Sequence, residues 1–322
     1  MHAFRLETIG DAPRLCTIDR PVPGNDQVLL RIMACGLNFA DLLMIRGQYQ
    51  ERPALPCTLG MELAGVVEAV GPGVDRIACG DRVAVFAGQG GLAEWGCFDA
   101  SACTRIPDTM RFEEAAAFQV AYGTSHLALD HRARLQPQET LLVMGAAGGV
   151  GLTAVEIGKR MGARVIATAR GSEKLRIAQA AGADHTIDSD APALRETLRS
   201  LGGVDVVYDA VGGPAFFEAM RATNPEGRLI PIGFAGGDVP QIPANHLLVK
   251  NLSVIGLYWG GYLKFAPETL ARSMAILFDW YTGGGLHPHV SHIFPLDRAQ
   301  EALDLLRDRK STGKIVVTPQ HL

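Results

Sequence analysis

The residues best placed to do chemistry are a run of small side chains, Ala146-x-Gly148-x-x-Gly151, between an apolar segment and a helix-forming one. Small residues let the backbone approach an anion closely. The exposed N–H groups and dipole of a helix N-terminus then hold its negative charge. Ala147, Gly148, Gly149, Val150 and Gly151 are therefore expected to cradle a pyrophosphate. A Gly-rich packing turn is the alternative, but the strand before the loop and the helix after it favour a nucleotide. A second group, Arg170, Ser172 and Lys174, follows the next apolar strand. An acid at that strand's tip would accept a hydrogen bond from a ribose 2′-OH. The tip carries none, and Arg170, Ser172 and Lys174 are suited instead to a 2′-phosphate, which points to NADPH over NADH. Otherwise Arg170 and Lys174 are solvated charges at a helix start.

These groups need elements to position them. Strands are read at Thr140–Met144, Arg164–Thr168, His185–Ile187, Val204–Asp209 and Gly227–Ile232. Helices alternate with them at Val150–Met161, from an N-cap at Ser172 to Ala181, near Ala191–Leu201, and from Pro214. Repeated βα units imply a parallel sheet covered on both faces. Up to about Arg105 the chain reads instead as β-rich, with runs at Gln27–Met33 and Leu63–Val70 and one helix at Phe39–Arg46. After Leu252–Gly256 the alternation stops. Helices at Leu270–Tyr281 and Asp297–Arg309 precede a terminal strand, Lys314–Thr318, which is expected to rejoin the first domain.

At 322 residues the chain suits two domains. Its formal net charge of −4 gives no general attraction to nucleic acid or anionic lipid. No apolar run approaches the ~20 residues of a membrane span, and the N-terminal residues lack a signal-peptide layout. Six cysteines without a framework spacing read as free thiols in a reducing cytoplasm.

With the loop placed, the whole chain resembles the medium-chain dehydrogenase/reductase superfamily, in its zinc-independent quinone oxidoreductase branch. The motifs are Ala34-Cys-Gly-Leu-Asn-Phe-Ala-Asp-Leu42, Leu59-Gly-Met-Glu-Leu-Ala-Gly65, Gly71-Pro-Gly-Val74, Gly80-Asp-Arg-Val83, Ala146-Ala-Gly-Gly-Val-Gly151, Val207-Tyr-Asp-Ala-Val-Gly212 and Thr312-Gly-Lys-Ile-Val316. Glu156 departs from the pattern, which usually has Gln there, and so does Gln138. The resemblance implies an α/β protein with a GroES-like β-barrel domain, residues 1–121 and 257–322. It implies a Rossmann doubly wound parallel-sheet domain over residues 122–256, with the active site in the cleft. It also implies a homodimer paired through an edge strand near Leu252–Gly256.

By the same resemblance, zinc-dependent relatives place Cys where Asn38 stands and His where Met61 stands. Amide and thioether groups are poor zinc ligands beside thiolate and imidazole, so no metal site is expected. The cluster His287-Pro-His289-Val-Ser-His292 is read as a strand joining tail to barrel rather than as a metal site. Without a Lewis acid, oxidation of a simple alcohol is difficult. A quinone or conjugated carbonyl, which takes hydride directly from NADPH, is the expected small-molecule substrate.

Asn38 is implied to lie beside the nicotinamide, hydrogen-bonding the cofactor or a substrate carbonyl, or else to fix its loop. Asp41, about three residues on along the same helix, either orients Asn38 or caps local backbone. Tyr49 matches a tyrosine of the 2-enoyl thioester reductases that protonates the α-carbon, and is a proton donor or a substrate-lining aromatic. Phe234 and Ala235 are implied to pass near the nicotinamide. Tyr258, with Trp259, either stacks on a flat acceptor or plugs the domain interface. Lys314 either reaches the cofactor or substrate, or pairs on the surface. Two alternatives stay open: a 2-enoyl-CoA or enone reductase using Tyr49, and an NADPH-binding protein with little turnover.

Overall fold

The computed structural model describes residues 1–319 and divides them into two compact units. The first comprises Met1–Val120 with the chain from Pro288 onward, and the second Ala121–His287.

In the first unit the strand Gln27–Gly36 is the organiser. It pairs antiparallel with Glu62–Val70, Trp95–Asp99 and Lys314–Thr318. Its apolar side chains fall on both faces, and Val28, Leu30, Ile32, Ala34 and Cys35 are buried. The seven-stranded sheet continues outward through Arg82–Phe86 to Cys103–Arg105 on one side and through Lys314–Thr318 to Val290–Pro295 on the other. A smaller sheet of Arg14–Thr17, His2–Leu6 and Cys57–Thr58 packs into the same core. The terminal strand thus rejoins the N-terminal unit, in the register Val316–Gly36 and Val317–Cys35.

The second unit carries six strands, all paired in parallel: His185–Asp188, Arg164–Ala169, Thr140–Met144, Val204–Asp209, Thr223–Pro231 and Ser253–Val254, in that spatial order. Numbered along the chain this is 3-2-1-4-5-6, the doubly wound order whose direction of winding reverses at the first strand. Leu141, Leu142, Val143, Val165, Ile166, Val206 and Val207 are fully buried, as strands covered on both faces require. The strands end together: Met144 pairs with Thr168 and with Asp209. The loops at their carboxyl ends therefore share one edge of the sheet.

Several expectations need correction. Residues 257–287 group with the parallel sheet, not with the barrel. Trp259 packs so tightly on Gly123 that a Cβ there would lie 2.6 Å from the indole nitrogen. The Glu156 carboxylate accepts from the Tyr122 hydroxyl at 2.5 Å and from the His287 N–H at 2.6 Å. His126 meets Ser273 at 2.9 Å. Ser172 is the first residue of its helix, and Gly171 is the cap, at a φ of 81° that disfavours a side chain. The strand expected at Leu252–Gly256 shortens to Ser253–Val254. The helices Gln119–His126, which runs on as a π-helical stretch, and Ala244–Lys250 add to the expected set.

Candidate active site

The glycine loop occupies the point where the winding reverses. Gly145 makes the turn at φ 74°, and the Ala146 N–H ties the loop to the neighbouring strand through Thr168 O at 2.9 Å. The helix then runs Gly149–Arg160 with Gly148 as N-cap and no side chain capping its first turn. A Cβ at Gly148 would meet only Gly145 O, at 3.4 Å, so the space above it is open. A Cβ at Gly151 would lie 2.8 Å from Ala146 Cα and nearer still to Gly145 O, so that glycine serves close packing of helix on loop. Ala147 is buried, Gly149 and Val150 are half-buried and Gly148 is exposed. An uncapped helix start with open space above an exposed glycine fits a pyrophosphate.

The neighbouring loops converge on the same edge. Arg170 follows the second strand. Its guanidinium pairs with Asp190 at 3.1 Å, but the two side chains are 71% and 62% exposed, so the pair holds it weakly. Ser172 and Lys174 lie in the first turn of the next helix. After the fourth strand the buried Asp209 carboxylate accepts from the N–H groups of Val211 and Gly212, at 2.8 and 3.0 Å. The segment Phe234–Gly236 is fastened to that turn: Ala235 N–H donates to Ala210 O at 3.1 Å and Gly236 N–H to Val211 O at 2.7 Å. Phe234 remains 38% exposed beside them. Trp259 is buried and acts as a plug within this unit, while Tyr258 is half-buried.

The first unit gathers a separate polar cluster around Asn38. The Asn38 amide donates from Nδ2 to Glu62 Oε1 at 2.9 Å and to Gly36 O at 3.4 Å. Its Oδ1 accepts from Lys314 Nζ at 2.7 Å. Lys314 and Glu62 also form a close ion pair, both buried, and Glu62 Oε2 takes the Val120 N–H at 3.0 Å. Lys314 is therefore not a surface group. Asp41 settles as a cap, its Oδ2 accepting the Asn38 backbone N–H at 2.8 Å. It is wholly buried, and its Oδ1 has no partner at hydrogen-bonding geometry. Burial pushes its carboxyl up to about 6, against the pull of the Asn38 N–H and the Lys314 ammonium. Gln119 Nε2, also buried, finds no acceptor among the described residues. Burial, with Asp41 and Glu62 nearby, raises the Cys35 thiol well above its usual range, so it is no nucleophile. Tyr49 is half-buried and packs against the core of this unit.

Glu62 is the functional candidate that the sequence left without a role. Its signal was available: a carboxylate opening the strand Glu62–Val70, whose next residues are Leu63, Ala64 and Gly65. Met61, where zinc-dependent relatives have His, is a core residue at 1% exposure. Among the described residues no three His, Cys, Asp or Glu side chains are gathered as a metal ion would require. His289 instead meets Thr312 Oγ1 at 3.0 Å and His292 meets Ser291 Oγ at 2.9 Å, in and beside the strand Val290–Pro295.

Comparison with known proteins agrees with this architecture. The alcohol dehydrogenase GroES-like domain family matches residues 24–108, and the zinc-binding dehydrogenase family matches residues 149–277. A quinone oxidoreductase-like protein 2 homolog from Nematostella vectensis is 42% identical over 300 residues, covering 91% of this chain and 82% of that protein. The mouse quinone oxidoreductase-like protein 2 is 40% identical, covering 93% and 86%. A solved quinone oxidoreductase from Thermus thermophilus, studied also as its NADPH complex, superposes with a TM-score of 0.88 at 35% identity over 99% of this chain and 100% of that one. On fold, motifs and relatives together, the chain belongs to the quinone oxidoreductase branch of the medium-chain dehydrogenase/reductase superfamily.

Proposed function

We propose that this protein is an NADPH-dependent oxidoreductase that reduces a quinone or related conjugated carbonyl without zinc. The observation that carries the reading is the uncapped helix start at Gly148, at the reversal point of a 3-2-1-4-5-6 sheet, with Arg170 on the adjoining strand tip. NADPH, when bound, supplies the hydride. The protein's part is to hold and orient. The first-turn N–H groups of Gly149, Val150 and Gly151 receive the pyrophosphate, and Arg170, Ser172 and Lys174 receive the 2′-phosphate. Within the second unit Phe234, Ala235 and Tyr258 flank the nicotinamide end, and within the first unit Asn38 offers a hydrogen-bonding amide. Relatives named for quinone reduction and NADPH complexes among them support this reading. The donor set at Asn38 and Met61 supports a zinc-free site on its chemistry: an amide already engaged by Glu62 and Lys314, and a thioether sunk in the core.

The test is NADPH oxidation against a panel of quinones and enoyl-CoA thioesters. Quinone turnover well above that of crotonyl-CoA is expected. Faster crotonyl-CoA turnover that collapses in Tyr49→Phe would instead make this an enoyl reductase, and binding without oxidation of any acceptor would remove the enzymatic reading. No helix among the described residues is long and apolar enough to cross a membrane, and the six free cysteines support a cytoplasmic setting. We further infer a homodimer. Among the described residues the strand Ser253–Val254 ends its sheet with one edge unpaired, and the preceding helix exposes Leu248 and Val249 at 79% and 74%.

A further inference from the structure

Lys314 and Glu62 bracket the Asn38 amide. An ammonium can only donate and a carboxylate can only accept. With Lys314 on one side and Glu62 on the other, the Asn38 amide can stand only one way round: Oδ1 toward Lys314 and Nδ2 toward Glu62. Both hydrogens of Nδ2 are engaged, on Glu62 Oε1 and Gly36 O, which leaves Asn38 nothing to donate. Among the described residues Lys314 Nζ is the donor that Oδ1 accepts, which leaves a second lone pair for a ligand, on a residue half-buried between two buried ones. We propose that Glu62 and Lys314 are positioning residues that lock the Asn38 amide, so that Asn38 meets its ligand as a hydrogen-bond acceptor. The group it recognises is a neutral N–H or O–H donor. The carboxamide NH2 of a nicotinamide and the hydroxyl of a reduced acceptor both qualify, and a quinone carbonyl does not. The inference rests on the reductase reading above.

The test is a cycle built on Glu62→Gln/Lys314→Met, which removes both buried charges together and leaves neither unpaired. Thermal melting checks that the variant folds. Added to the wild type, this pair should lower kcat/KM or NADPH affinity about tenfold; added to Asn38→Ala it should change them less than about twofold, because coupled residues are not additive. Lys314→Arg, which still donates to both partners, should recover most of the loss. A rise in the NADPH Kd identifies the carboxamide as the donor. A fall in kcat at unchanged Kd identifies the acceptor's hydroxyl. Equal losses in both backgrounds, or wild-type behaviour of Glu62→Gln/Lys314→Met, would overturn the proposal. Direction is read from Asn38→Asp/Glu62→Gln, which conserves charge and lets the introduced glutamine donate inward to an acceptor-only side chain. It should outperform Asn38→Ala, with a lower NADPH Kd or a higher kcat according to which constant is affected, and parity with Asn38→Ala would overturn the acceptor role. A wild-type protein that binds NADPH yet reduces no quinone would defeat the reductase reading while the cycle, read in Kd, still judges the lock.

Discussion

Replacing Gly148 and Gly151 by alanine, one at a time, separates the binding of the nucleotide from the building of its loop. At Gly148 the backbone is extended, with φ −80° and ψ 174°, and a methyl group would touch only Gly145 O at an ordinary 3.4 Å. The fold should absorb it at the cost of a poorer N-cap, about 0.5–1 kcal/mol. The same methyl stands in the open space over the first-turn N–H groups and keeps a phosphate oxygen from reaching them. Loss of one charge-assisted hydrogen bond is worth roughly 1.5–3 kcal/mol, which is about 10- to 150-fold in Kd. At Gly151 the methyl would collide with the Gly145–Ala146 backbone, 2.8 Å from Ala146 Cα and closer to Gly145 O. Overpacking of that kind costs about 1–3 kcal/mol, or a fall of roughly 2–12 °C in Tm at about 2–4 °C per kcal/mol. Calorimetric titration with NADPH and thermal melting read the two effects. Gly148→Ala should melt close to the wild type and bind NADPH at least about tenfold more weakly. An unchanged Kd in Gly148→Ala would refute the placement of the pyrophosphate on this helix start.

Three other outcomes are expected. Arg170→Ala should raise the KM for NADPH about tenfold, the low end for a charge-assisted bond at an exposed site, and leave the KM for NADH unaltered; equal effects on both coenzymes would remove the 2′-phosphate contact. Asp41→Asn should stabilise the protein at pH 8 but not at pH 4. The folded pKa of about 6 exceeds the ordinary 3.8, so the folded state holds the proton more tightly and stability falls as pH rises from about 4 to about 6. Above that window the penalty is about two pKa units, roughly 3 kcal/mol at 1.36 kcal/mol per unit, and melting curves that drop equally at both pH values would contradict it. Leu248→Asp should shift the particle toward monomer in light scattering, and an unchanged mass would move the interface elsewhere.

Much of the nucleotide unit was legible because buried parallel strands are written as apolar runs. Thr140–Met144 and Val204–Asp209 fall where the sequence places them, and Pro214 opens its helix. Lys314–Thr318 is equally clear, a β-branched run after Gly313. What was not legible depends on tertiary partners. Ser172 has the chemistry of an N-cap, yet the chain turns at Gly171, and only the φ of 81° reveals it. The helix Gln119–His126 hides because Gly123 interrupts its pattern, and Gly123 is there to admit the Trp259 ring. That same contact draws residues 257–287 to the parallel sheet. Around Asn38 the sequence shows Asp41 at helical spacing and Glu62 opening its strand, but not the pairing of Glu62, whose lysine partner lies 252 residues away. Lys314 stands out in the sequence by its position in a motif, but the direction of its ammonium follows from burial beside Glu62 and Asn38.

The central claim is that NADPH occupies the carboxyl edge of the parallel sheet, and direct titration of the purified protein with NADPH tests it most plainly. The expected result is a saturable complex with one NADPH per chain, tighter than that with NADH. Absence of any complex at millimolar NADPH would contradict it.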